Sequence, residues 1–370
     1  MSVIHQLRLV DFDMVPVPGP GVPTFSVMVS PETEQTAPQV FARLDKALEE
    51  ARATIVSQRV FGGAGIGSTA DVPAWPVTWL CGNGVALPAA ASSQITVVAG
   101  AEVRPLELDG QIIGSLFEDE YAEYCILGNL LPQDLSATNS QQTRAVLEQI
   151  EKAIGLAGMD LSHIVRTWFF LDRILDWYNE FNAVRTRFFT ERGMFARFLP
   201  ASTGVGTSNA AGAALVVDVL AMKPKDDRTS VREVRSPLQC PATQYRSSFS
   251  RAVEVCAGGS RRLYISGTAS ISPDGETAHR GDVARQMALA MKVAEGILNR
   301  CEMDWSHVVR GTAYFRDLAD RPVFDSYLLE RGLPPMPIVA AAADICRDDL
   351  LFEIELDAAA NPTGSALSHD

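Results

Sequence analysis

An eight-position block recurs in this chain at an offset of 144 residues, and it limits the fold more than any other feature. Met159-Asp160-Leu161-Ser162-His163-Ile164-Val165-Arg166 returns as Met303-Asp304-Trp305-Ser306-His307-Val308-Val309-Arg310. Self-similarity at a fixed spacing marks a repeated structural unit. A helical pattern precedes each block. It runs from Asn139 to Gly158, with Val146, Leu147, Ile150 and Ile154 on one face, and from Val283 to Arg300. A strand-like run follows each block, Trp168-Phe169-Phe170-Leu171 and Ala313-Tyr314-Phe315. A weaker third copy stands at the front, where Ala37 to Ala53 places Val40, Leu44, Ala47 and Leu48 on one face and Ile55 to Phe61 serves as the strand. Each copy closes with a further strand: Gln94 to Ala99, Ala214 to Ala221, and Leu351 to Ala358. The plan is a β-hairpin, a helix, a strand, a second helix and a final strand. The first copy is short, since Gly62 to Trp75 leaves no room for a full second helix. The expected class is α+β, with three modules of mixed sheet and helices outside. Boundaries near Arg104-Pro105 and in Lys223-Pro224-Lys225-Asp226-Asp227-Arg228 divide the chain into 1–105, 106–225 and 230–360, with 361–370 as a flexible tail.

The last strand carries the chemistry. Strand periodicity puts Phe352, Ile354 and Leu356 on one face and Glu353 and Glu355 on the other. A carboxylate planted in such a run is partly desolvated, which favours its protonated form and suits it to act as an acid near neutral pH. Aligning the closing strands on Ala99, Ala221 and Ala358 puts Gln94, Val216 and Glu353 in one column. Only the third copy keeps a carboxylate there, so one functional cleft is expected. A structural strand residue with an arginine partner is the plain alternative for Glu353, and equally for Glu355.

Composition excludes several classes. The net charge of −13 and the lack of a Lys/Arg run argue against a nucleic-acid partner. Six scattered cysteines without a C-x-x-C pair read as reduced thiols of a cytoplasmic protein. The five histidines show no ligand spacing, so no metal is expected. His163 and His307 recur in equivalent positions and read as capping or packing residues. No apolar run reaches the roughly 20 residues that span a bilayer, and Met1-Ser2-Val3-Ile4-His5 does not open a signal segment. Gly62-Gly63-Ala64-Gly65-Ile66-Gly67 leads to Pro73 rather than a helix and fails the context of a dinucleotide fingerprint.

Leu199-Pro200-Ala201-Ser202-Thr203-Gly204-Val205-Gly206, Leu215 to Ala221, Tyr264-Ile265-Ser266-Gly267-Thr268-Ala269 and Phe352-Glu353-Ile354-Glu355 together resemble the Rid (YjgF) superfamily. The resemblance is loose over 1–105 and good from about 106 to 360. It implies chorismate-mutase-like modules, and three in one chain look like an intramolecular counterpart of the family's homotrimers, with ligand clefts between units. Within the superfamily the chain is more similar to the chorismatases of the FkbO type. The residues that carry this are Val165-Arg166-Thr167-Trp168, Arg262 to Ala269, His279-Arg280-Gly281-Asp282-Val283 and the stretch from Asp344 to Glu355. That resemblance implies a cofactor-free enzyme that removes the enolpyruvyl group of chorismate as pyruvate. Glu353 matches the family's catalytic acid, and Cys346 and Gly267 match the subgroup forming 3-hydroxybenzoate rather than a dihydroxycyclohexadiene acid. The Arg of the simple deaminases' Pro-Ala-Arg motif is missing at Pro76-Val77-Thr78, Pro200-Ala201-Ser202 and Pro335-Met336-Pro337.

A small carboxylate-bearing substrate needs cations, and guanidinium suits bidentate carboxylate binding. The substrate-binding candidates are Arg166, Arg185, Arg251 and Arg347, with Thr203, Gly267 and Thr268 offering hydroxyls or close backbone approach. Several have a plain alternative. Arg59 and Arg310 are read as matching Arg166, and recurrence argues for structure. Arg185 on a helix reads equally as a solvated residue, Gly267 as a bulge, and Cys346 as a small buried core residue. Three readings stay open: a chorismatase, an imine or enamine hydrolase with Glu353 positioning water, and a ligand-binding protein without turnover. Self-association of the three-module chains is also left open.

Overall fold

The computed structural model describes residues 7–9, 12–29, 37–62, 73–82, 92–245 and 247–361. The first six residues, the glycine loop beyond Gly62 and the tail beyond Asn361 lie outside them. The first unit consists of β1 (Leu7–Leu9), β2 (Phe12–Val17), β3 (Thr24–Val29), α1 (Ala37–Ala51), β4 (Ala53–Phe61), β5 (Val77–Gly82) and β6 (Ser92–Ala99). The second begins with β7 (Arg104–Leu108), β8 (Gln111–Glu118), β9 (Ala122–Leu130), α2 (Asn139–Leu156) and β10 (Ile164–Leu171). It continues through α3 (Ile174–Glu191), β11 (Ala201–Gly206), β12 (Ser208–Asn209) and β13 (Leu215–Pro224). The third has β14 (Thr229–Val234), β15 (Ala252–Ala257), β16 (Ser260–Ala269), α4 (Val283–Arg300), β17 (Val308–Phe315), α5 (Arg321–Glu330), β18 (Ile338–Ala342) and β19 (Phe352–Ala360).

Each unit builds one mixed sheet, in the orders β1-β2-β3-β6-β4-β5-β12, β11-β10-β13-β9-β8-β7 and β14-β15-β16-β19-β17-β18. The closing strand (β6, β13 or β19) lies between the hairpin and the strand after the first helix. The sequence plan lacked one element, the short strand parallel to that neighbour: β5, β11 and β18. Ala201-Ser-Thr-Gly-Val-Gly and Ile338-Val-Ala-Ala-Ala are rich in small residues of weak strand preference, so they carry little apolar alternation.

Each helix seals one face of its sheet. Val146, Leu147, Ile150 and Ile154 of α2 are buried on the second sheet, as their spacing predicts, and Val40 and Leu44 of α1 on the first. Met287, Met291, Ala294 and Ile297 of α4 pack on Phe352, Ile354 and Leu356. Each of the Val, Leu, Ile, Met and Phe side chains among them contributes roughly 1.5–3 kcal/mol by leaving water. The repeated block starts a short 3₁₀ turn before β10 and β17. Asp160 and Asp304 accept from Ser162 N and Ser306 N, and the Nδ1 atoms of His163 and His307 accept from the backbone N of Asp160 and Asp304 at 3.0 and 3.1 Å. Both histidines cap a turn.

The opposite sheet faces meet one another. Val56 and Val98 pack with Phe117, Val165, Val253 and Val255, and Trp168 and Phe170 with Leu80, Tyr314 and Ile345. Strands of different units also join edge to edge, β12 with β5, Ala201 with Ser250, and Gly206 with Asp344.

A bulge corrects one sequence alignment. In all three units the partner of the closing strand is irregular at one place: Ile55/Ser57, Ile164/Arg166 and Val308/Arg310. Counting from there, Ser57, Arg166 and Arg310 are equivalent, and Arg59 falls two residues later, level with Trp168 and Thr312. The true columns on the closing strands are therefore Ser92, Val216, Glu353 and Gln94, Asp218, Glu355. Glu353 is still the single carboxylate of its column.

Candidate active site

The second column joins the units. Asp218 accepts from Arg59 Nε at 2.5 Å and from Thr78 Oγ1 at 2.6 Å. Glu355 repeats the arrangement, accepting from Arg166 Nη2 at 2.8 Å and Thr203 Oγ1 at 2.5 Å. Thr78 and Thr203 are equivalent by register, each level with the strand residue that faces its column. The matching third residue is Val339, which offers no hydroxyl, and Gln94 donates instead to Gly311 O at 2.7 Å. Each unit thus sends one polar side chain to the next. Thr312 and Tyr314 also donate to Glu355, which stays ionised: Arg166, Arg310 and Arg59 outweigh its burial and hold it below the usual carboxylate range.

Two residues earlier on β19, Glu353 is buried and faces a cleft between the second and third units. Burial, aided by the charge of Glu355, pushes its pKa up to about 8, against the pull of Arg166 and Arg251. The Ser266–Gly267 bulge on β16 brings backbone against it. A β-carbon on Gly267 would collide with Glu353 Oε1 and lie 2.9 Å from its Cδ. Gly267 N also donates to Thr203 Oγ1 at 3.1 Å. The glycine therefore serves both a bulge and a close approach.

The inner cleft, about 480 Å³, is lined by Glu353, Gly267, Cys346, Arg185, Arg251 and Arg347 together with Tyr178, Ser202, Phe249 and Ile271. Arg185 is buried, not a solvated helix residue. Its Nη2 donates to Asn182 Oδ1 at 2.7 Å, and its guanidinium stands 5.0 Å from the ring centre of Phe181. Arg251 donates from Nε and Nη2 to Cys240 O at 3.0 and 2.9 Å, and Arg347 from Nη2 to Gly275 O at 2.9 Å. Burial and then Glu353 push the Cys346 thiol up to about 12, so it remains a neutral thiol. A wider vestibule with Thr186, Ser247, Thr277 and Arg280 opens outside, sharing Tyr178, Cys346 and Arg347.

Of the sequence candidates, the structure brings six together here. Arg166 and Thr203 stand behind the cleft wall on Glu355, and Thr268 Oγ1 donates to Ser266 O at 2.8 Å.

The endoribonuclease L-PSP family matches residues 130–222 and 241–360, more than half of the chain. The chain belongs to this family, the Rid superfamily. Within it, a 3-hydroxybenzoate synthase of Streptomyces hygroscopicus is 27% identical over 224 residues, 52% of this chain and 63% of that protein. The chain thus matches just under two thirds of that relative's length. A chorismatase of Streptomyces rapamycinicus is 28% identical over 238 residues, 58% of this chain and 68% of the relative. A crystal structure of a chorismatase superposes with a TM-score of 0.65 at 18% identity, over 92% of this chain and all of the other. The three-unit Rid fold is therefore shared with that protein.

Sequence reasoning missed Tyr178, Ser202 and Phe249 in this Rid cleft. One signal was present: Tyr178, Asn182 and Arg185 recur at i, i+4 and i+7 on α3, a polar stripe beside the apolar Trp177, Phe181 and Phe188. Ser202 and Phe249 come from segments without periodicity.

Proposed function

We propose that this protein is an enzyme that removes the enolpyruvyl group of chorismate as pyruvate, giving 3-hydroxybenzoate, with Glu353 as general acid. One observation carries the reading: a buried carboxylic acid that holds its proton near neutral pH faces a cleft lined by three arginines. Similarity to a 3-hydroxybenzoate synthase and a chorismatase supports it. We also read the modules 1–105, 106–225 and 230–360 as an intramolecular pseudo-trimer, on the cyclic contacts of Gln94, Asp218 and Glu355.

Arg185, Arg251 and Arg347 hold the two carboxylates of chorismate. Glu353 gives its proton to the enolpyruvyl methylene carbon, leaving a cation stabilised by the ether oxygen. The bond from that oxygen to the ring breaks, and the oxygen leaves as the keto oxygen of pyruvate. As that bond breaks, the neighbouring ring hydroxyl closes onto the freed carbon, forming an epoxide and returning its proton to Glu353. The epoxide then opens at the oxygen's original carbon, a hydrogen moves across, and the ring aromatises with its one oxygen at the 3-position. Pyruvate and 3-hydroxybenzoate together contain the atoms of chorismate, so this outcome consumes no water, whereas the hydrolytic outcome consumes one. The neutral Cys346 thiol, with Phe249, Ala269 and Ile271, makes an apolar wall that disfavours water beside the ring.

Chromatography of the products tests the assignment. The expected result is 3-hydroxybenzoate and pyruvate in equal amounts. A dihydroxycyclohexadiene acid alone would overturn the role given to Cys346, and turnover of imines to ammonia without action on chorismate would favour a deaminase.

A further inference from the structure

A second cavity lies where the inner faces of the three sheets converge, away from the Glu353 cleft. Including its open mouth it measures about 840 Å³, a size common among small-molecule sites. Ser57 and Thr96 of the first sheet, Leu220 of the second, and Arg310 and Asp357 of the third line it at equivalent positions beside the bulges. Phe117, Tyr124, Trp168 and Tyr264 form aromatic walls.

Its charges do not balance. Three guanidiniums line it, those of Arg59, Arg262 and Arg310, against two carboxylates, Asp218 and Asp357. Arg59 is taken by Asp218 at 2.5 Å and Arg310 by Asp357 at 3.1 Å. Arg262 is half-buried beside Tyr264 and, among the described residues, has no carboxylate partner. Its head sits where hairpin turns of the three units meet. Nη2 is 3.3 Å from the β-carbon position of Gly19, and the turn at Gly258 presses on Tyr121 and Pro20. A half-buried cation without a counter-charge favours an anion, and aromatic walls favour a flat ring.

We infer that this central cavity is a binding site for a small aromatic monocarboxylate, its carboxylate on Arg262 and its ring among Phe117, Tyr124 and Tyr264. The site is separate from the Glu353 cleft, and the inference does not rest on the reaction proposed there.

Calorimetric titration of the full chain tests it, with benzoate as probe and benzamide and benzylammonium as its neutral and cationic counterparts. Benzoate should bind saturably and at least tenfold more tightly than either counterpart. Arg262→Gln and Thr96→Phe, which fills the cavity, should each weaken benzoate at least tenfold and leave pyruvate release unchanged. Arg262→Lys should keep most of the affinity, which separates lost charge from lost fold. Gly267→Val, which blocks the cleft, should leave benzoate binding intact. No saturable binding, equal binding of benzamide, or binding that survives Arg262→Gln but is lost in Gly267→Val would each overturn the inference.

Discussion

The carboxylate of Glu353 occupies the space that a β-carbon on Gly267 would need. The bulge at Ser266–Gly267 and the acid on β19 are two halves of one feature, joined across a strand pair. Gly267→Val should therefore push Glu353 out of place. Pyruvate release should fall at least a hundredfold, with a loss of about 1–3 kcal/mol in stability from overpacking. Steady-state kinetics and denaturant unfolding check the two effects separately.

The raised pKa of Glu353 gives two pH signatures. As a general acid it is active while protonated, so turnover should fall tenfold per pH unit above about 8. Its folded-state pKa lies above the ordinary 4.5, so the folded chain binds the extra proton between those values. The stability it contributes is complete below pH 4.5 and is lost as the pH rises through about 8. Glu353→Gln does not titrate, and its melting temperature should exceed that of the unaltered protein increasingly across this window. Melting curves at pH 5 and pH 8.5 measure the gap, and a constant gap would contradict the shift.

Glu355 should behave as a structural group. It is ionised and bonded to Arg166 and Thr203 across a unit boundary. Glu355→Gln leaves Arg166 buried without its counter-charge and should cost about 3–5 kcal/mol. Adding Arg166→Met should restore a large part of that. Unfolding of the two single variants and the double variant gives the coupling energy.

Cys346 should resist alkylation. With its thiol pushed up to about 12, it should react with iodoacetamide at pH 8 at least a hundredfold more slowly than an ordinary exposed cysteine. Peptide mass spectrometry over a time course measures this. Cys346→Ala should keep pyruvate release and shift the ring product towards the hydrolytic one.

The outline of the fold was legible because its signals are local. The paired blocks at Met159 and Met303 each contain a whole capped turn and the strand it starts, and helix spacing named the buried faces of α1 and α2. Alternation placed Glu353 and Glu355 opposite the core. The bulge at Ile55/Ser57 was not legible, because an extra residue in a strand leaves no mark in composition, and the first unit's column slipped by two. Arg166 and Thr203 were drawn to the substrate because Glu355, their partner, is 189 and 152 residues away in the chain. The sequence showed that these residues existed; only the packing of one unit on another divides the cleft from the latch behind it.

The central claim is that Glu353 gives its proton to the substrate. Pyruvate release from chorismate by the unaltered protein and by Glu353→Gln, followed side by side in a coupled assay, tests it most directly. The account predicts release by the first and a loss of at least a thousandfold in the second, with the variant still folded. Equal release by both, or none above the spontaneous rate by either, would contradict it.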